Sequence, residues 1–139
     1  MVVAGREEMT AQPSVEAWRQ LRLRYRLGAV TADAYFDAGF SVVVQDVVVG
    51  PVLDEYVGLL RSRPLIVVVV VPRLDAVAER ERTRLKIGYR DDVATMSQMD
   101  AALRSDTSCL GLWLDTSDQT PNETVDEIAA RAWVAGRVG

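Results

Sequence analysis

Two stretches of the chain are apolar on both alternating faces, Phe40-Ser-Val-Val-Val-Gln-Asp46 and Pro64-Leu-Ile-Val-Val-Val-Val-Val71. A strand of this kind has no wet side. It predicts a mainly parallel sheet with helices above and below it, the architecture whose ligands sit at the carboxyl ends of the strands. The first stretch reads as a strand over about residues 41–45 and ends abruptly in an acid, Asp46. The second opens at Pro64 and is ended by Pro72, and a third strand, Leu110-Gly-Leu-Trp-Leu114, runs into Asp115-Thr116-Ser117.

Helical spacing fills the intervals. With Ser14 as N-cap, Trp18, Leu21, Tyr25, Val30, Ala34 and Phe36 recur along a long helix that Gly39 stops. Gly50-Pro51 turns into a short helix through Leu53, Tyr56, Val57 and Leu60. Residues 74–86 read as a helix with a narrow apolar side and a dense charged side, followed by a polar break at 88–92 and a helix over 97–104. Thr120-Pro121-Asn122-Glu123 combines a capping box with proline at the first helical position, which predicts a helix from Pro121 to about Ala135. The resulting order is helix, strand, helix, strand, helix, helix, strand, helix. Such alternation implies right-handed crossovers between parallel strands. Three strands are few for a doubly wound sheet, and the pattern starts with a helix where a strand is expected.

Composition narrows the class. With 139 residues, 49% of them hydrophobic and 26% charged, the chain suits one folded domain over residues 1–139. The valine-rich run is far shorter than the roughly 20 residues that cross a bilayer, and the amino terminus turns charged before a signal-type apolar region develops. A cytoplasmic protein without a membrane partner is expected. Cys109 is the single cysteine and there is no histidine, which removes an internal disulfide, the usual zinc sites and every histidine-based triad. The net charge is −4, and aromatic residues make up only 6%. That balance disfavours a nucleic-acid platform. Arginines clustered near 19–26 and 73–90 in an acidic chain point instead to an anionic small molecule.

Four groups are candidates for chemistry. Asp46, at the end of a covered strand, can hold a magnesium ion or take a proton from a hydroxyl nucleophile; the alternative is a cap on the turn toward Gly50. Arg80 and Arg84 are four apart and share a helix face that can clamp phosphate, or they lie on a solvated face beside Glu79 and Glu81. Arg22 and Arg26 form a similar pair that either approaches a substrate or stays wet. Asp115, Thr116 and Ser117 either rim a nucleotide base or form an ordinary polar loop leading to the Thr120 cap.

In order along the chain, the strand ending in Asp46, the strand closed by Pro72, Ala-Glu-Arg-Glu-Arg-Thr-Arg-Leu-Lys-Ile-Gly-Tyr and Leu-Gly-Leu-Trp-Leu-Asp-Thr-Ser before Thr-Pro-Asn-Glu-Thr-Val-Asp-Glu-Ile resemble the later part of P-loop small-molecule kinases. More narrowly they look like the bacterial phosphotransferases akin to chloramphenicol phosphotransferase and zeta-toxin-type kinases. The resemblance runs from about Ser14 onward, and its specificity lies in the order of the motifs. It implies an α/β, P-loop NTPase-like parallel sheet with flanking helices, and ATP- and magnesium-dependent phosphoryl transfer to a small-molecule hydroxyl. Asp46 then corresponds to the metal-associated strand-end acid, Arg80 and Arg84 to the lid arginines, and Asp115 to Ser117 to the loop bordering adenine.

The phosphate loop is the departure from that pattern. No Gly-x-x-x-x-Gly-Lys-Ser/Thr occurs in the chain. The family's first strand and phosphate loop would precede Met1, so the resemblance implies an incomplete sheet of about three strands and a partial kinase that is inactive alone. A truncated product is the favoured explanation. A degenerate relative that binds without catalysing, or one half of a complex, are the others. A non-catalytic nucleotide-binding or oligomerisation module is the alternative function, with exposed strand edges as the route to a homo-oligomer.

Overall fold

The computed structural model describes residues 5–7, 9–10, 12–83 and 93–139, and within these the protein is mixed α/β with five helices and two small two-stranded sheets. The chain divides into two compact units. One comprises residues 1–62 with 101–107, and the other 63–100 with 108–139.

The first unit is helical. Helix α1 (Val15–Asp37) begins at Ser14, whose hydroxyl accepts from the Ala17 amide at 3.0 Å. It ends with Gly39 at φ +88°, a left-handed residue that lets the Phe40 amide reach back to the Tyr35 carbonyl at 3.1 Å. Helix α2 (Val52–Leu59) packs its Val52 and Tyr56 against Tyr25 and Ala29 of α1. The inward row of α1 is therefore Tyr25, Ala29 and Ala32, while Val30 and Ala34 are exposed. The sequence reading favoured larger residues and mixed two faces of the helix. Small alanines are what let a second helix approach closely.

Between these helices lies the main correction. Residues 40–49 form no strand, and Val43 is 93% exposed. Two-sided hydrophobicity marks a segment that gains from cover; it does not supply the neighbouring strand on which a β conformation depends. The Tyr25 hydroxyl donates to the Val47 carbonyl at 3.0 Å, and the Gly50 amide donates to Thr107 Oγ1 at 2.6 Å, which tie down the end of the segment.

The second unit holds the β structure. The valine stretch forms β1 (Leu65–Ile66) and β2 (Val68–Val70). Strand β2 runs parallel to β3 (Leu112–Leu114), with Val68 opposite Leu112 and Val70 opposite Leu114. Strand β1 pairs antiparallel with β4 (Arg137–Val138), an element that the sequence reading did not include. Helix α3 (Leu74–Thr83) follows the stretch, and α4 (Val93–Ser105) starts earlier than residue 97. Helix α4 is divided between the two units. Helix α5 (Pro121–Ala135) has the expected bounds, with both halves of the Thr120–Glu123 capping box formed. Its Ala132 and Ile128 cover Leu112 and Leu114, and Ile66 and Val68 join the same core.

Gly111 explains the close approach at the start of β3. Its φ is +74°, and a Cβ there would lie 2.3 Å from the Val67 carbonyl oxygen. The Leu112 amide donates to that oxygen at 2.9 Å, so a side chain at 111 would collide with the group that starts the parallel ladder.

Candidate functional site

A groove of about 880 Å³ lies in the first unit along α1 and α2. Its apolar wall is Trp18, Tyr25, Val52, Tyr56 and Leu59, and its polar rim is Arg19, Arg22, Arg26 and Glu55. Helical spacing accounts for the rim, because residues 19, 22 and 26 fall on consecutive turns of one side of α1. The Tyr25 and Tyr56 rings stack at 4.8 Å between centroids, which stiffens the wall. Burial raises the ionisation points of both phenols above the usual range.

The rim arginines differ in their partners. Arg19 is held by Glu16 at 2.6 Å. Arg22 makes a two-pronged pair with Glu55 at 3.0 and 3.3 Å and lies 5.7 Å from the centre of the Trp18 ring. That hydrogen bonding holds the Glu55 carboxyl below its ordinary range. Arg26 makes no ion pair or hydrogen bond among the described residues. With three guanidiniums and one carboxylate, the rim is cationic on a chain whose net charge is −4. An apolar wall beside an open guanidinium is a chemistry for binding an anion that carries a flat or greasy body.

Asp46 is also in the first unit. Its Oδ1 accepts from Arg24 Nη2 and from the Val47 amide, both at 2.7 Å. Among the described residues, no group of three or more acidic, histidine or cysteine side chains could hold a metal ion. A magnesium ion at Asp46 would have to compete with the Arg24 guanidinium for the carboxylate.

The other predicted residues belong to the second unit. Arg80 directs one Nη2 to the carbonyls of Thr116 at 2.6 Å, Gln119 at 3.2 Å and Ser117 at 3.3 Å. Asp115 Oδ1 accepts from the Ser117 amide at 2.9 Å and from the Ser117 hydroxyl, and the hydroxyl bond is the leading cause of its lowered ionisation point. Ser117 Oγ in turn accepts from the Arg73 amide at 2.7 Å, and Arg73 grips Asp118 through two nitrogens at 2.9 and 3.0 Å. Arg80 and residues 115–117 thus come together as a cross-braced loop. Arg84 lies outside the described residues.

Two features escaped the sequence reading. One is the aromatic wall, whose helical spacing reads only as helix core. The other is Asp33, 3% exposed, which accepts from the Ser62 hydroxyl at 2.6 Å, the Ser62 amide at 3.0 Å and the Arg61 amide at 3.2 Å. The Ser62 hydroxyl is the largest cause holding its carboxyl down at about 2. Its position was a clue, because Asp33 follows Tyr25 and Ala29 at intervals of one helical turn and so lies beside the buried row.

No family model matches the sequence, and no curated protein or solved structure matches it either. Among the described residues no helix is long and apolar enough to cross a membrane.

Proposed function

We propose that the chain acts as a non-catalytic binding module whose first unit takes an anionic ligand with a flat aromatic body in the groove along α1 and α2. The observation that carries this reading is Arg26, a guanidinium without a protein partner among the described residues, on the rim of a wall built from Trp18, Tyr25 and Tyr56. Arginine binds phosphate and carboxylate oxygens in pairs, and Trp18, the half-buried aromatic beside the buried tyrosines, supplies a face on which a planar body stacks. A nucleotide joins both properties in one molecule.

Adenosine monophosphate and adenosine separate the two contributions. With Trp113→Phe and Trp133→Phe in place, Trp18 is the remaining tryptophan, and under tryptophan-selective excitation the monophosphate should quench it with several-fold higher affinity than the nucleoside. Arg26→Gln should remove most of that difference while leaving adenosine unaffected, a loss on the order of 1–2 kcal/mol. Equal affinity of the two ligands, or no response at Trp18, rejects the reading.

A second reading is the P-loop NTPase-like phosphotransferase implied by the resemblance. The parallel pairing of β2 with β3, and the placement of Asp115 to Ser117 directly after β3, favour it. In that reading Asp46 would have to release Arg24. Fused to a strand and phosphate loop of the family's type, the chain should turn over ATP and lose that turnover in Asp46→Asn, and a fusion that turns over no ATP rejects the reading.

A further inference from the structure

Backbone hydrogen bonding along residues 65–71 is one-sided. Val67 donates to the Gly136 carbonyl at 2.8 Å and accepts from the Leu112 amide at 2.9 Å, and Val71 donates to the Leu114 carbonyl at 2.8 Å. Strand backbones alternate, so the polar groups of Ile66, Val68 and Val70 point to the opposite edge. Among the described residues no strand pairs with that edge, and Val70 is 47% exposed.

The same chain carries a segment of matching kind. Residues 41–45 include three consecutive valines and make no backbone hydrogen bond among the described residues. Val43 and Val44 are exposed. Both the segment and the edge are rich in β-branched residues, and Val42 to Val44 and Ile66 to Val70 carry no charge. Protein edges that stay solitary are guarded by lysine, proline or a bulge, and neither run contains a lysine or a proline.

We propose that residues 41–45 of one copy add as a strand to the Ile66, Val68 and Val70 edge of a second copy, and that the exchange is reciprocal. One such strand alone buries less than the roughly 1,200 Å² of a stable interface. Two equivalent additions double the area and close the assembly about a two-fold axis, with each donor segment and each acceptor edge used. A second copy is the occupant because each chain presents one donor segment and one acceptor edge. The proposal is independent of the groove and its ligand.

Sedimentation of the full chain over the micromolar range should show a monomer–dimer equilibrium. Val43→Pro removes an amide and fixes φ near the polyproline value, which disfavours the extended ladder, and it should raise the dimer dissociation constant at least about tenfold. Val43→Lys, at a position without packing to lose, should do the same, so the test survives if the proline variant misfolds. For the contact itself, Val43→Cys copies are mixed with Val70→Cys or Val68→Cys copies, all carrying Cys109→Ser, and oxidised with copper phenanthroline in air. Disulfide-linked pairs between the two kinds of copy are expected. A chain that stays monomeric overturns the proposal, as does a dimer that ignores both Val43 substitutions and gives no mixed disulfide. Assemblies that grow without limit overturn the reciprocal exchange.

Discussion

Residues 40–49 and residues 65–71 are both dominated by valine, yet one is irregular chain and the other is sheet. Their intrinsic preferences are alike, so preference does not decide the outcome. The second stretch has a partner that comes to it: Gly111 admits Val67, Leu112 to Leu114 run alongside, and α5 lays Ile128 and Ala132 over the pair. Among the described residues the first stretch has no such strand neighbour, and its unit is held by helix contacts and by Asp33 instead. A valine run is a request for pairing, and the fold answers only one of the two.

The largest effect is expected from making the second stretch resemble the first. Gly111→Val adds branched atoms against the Val67 carbonyl at a positive φ, and should destabilise the second unit by roughly 3–5 kcal/mol. Hydrogen exchange should then lose protection at the Val67 and Val71 amides. Retained protection would show that the ladder does not depend on that approach. Leu114, 2% exposed in the core of the second unit, comes next. Leu114→Ala should lower stability by about 2–4 kcal/mol, read from the urea midpoint, whereas a change below about 1 kcal/mol would mean that the core is looser than its burial implies.

Asp33 tests what replaces pairing in the first unit. Its carboxyl lies at about 2 in the folded chain, below its ordinary value of 3.8, so the unfolded state binds the proton first as pH falls. The stabilisation is complete above the ordinary value and is lost as pH drops from about 4 through 2. Asp33→Asn should flatten that acid limb in thermal melts, and an unchanged limb would assign acid sensitivity elsewhere. Glu16, which Arg19 holds at about 2, contributes in the same window and remains in the variant, so the flattening is partial. The smallest effect belongs to Val43→Lys in the monomer, which should shift stability by no more than about 0.5 kcal/mol. A loss above about 1 kcal/mol would show that residues 41–45 are packed after all, as Val48 is, and would dissolve the contrast.

The parts of this fold legible in the sequence are those written into adjacent residues. The Thr120–Glu123 box, Pro121, the Ser14 cap and Gly39 each act over one helical turn, and the helices begin and end where they direct. The valine segment at 40–46 was opaque, while the one at 64–71 was not, because pairing depends on residues far along the chain and nothing local in 40–46 records the absence of a neighbour. The site followed the same rule. Arg22 and Arg26 were recognisable as a pair from their spacing, and both line the groove. The partners of Asp46 and Arg80 lie 22 and 36 or more residues away, so their engagement with Arg24 and with the Thr116 carbonyl was invisible from spacing.

Asp33 meets Ser62 across 29 residues, and the irregular valine segment lies inside the loop which that contact closes. Closing a loop becomes harder only slowly as it lengthens, by about 0.6 kcal/mol for each doubling. Residue 43 is therefore a place where the chain can be lengthened at little expense to the monomer. A short reporter peptide inserted there would be displayed on a tether whose two ends are already pinned, by Gly39 on one side and by the Tyr25 hydroxyl at Val47 on the other.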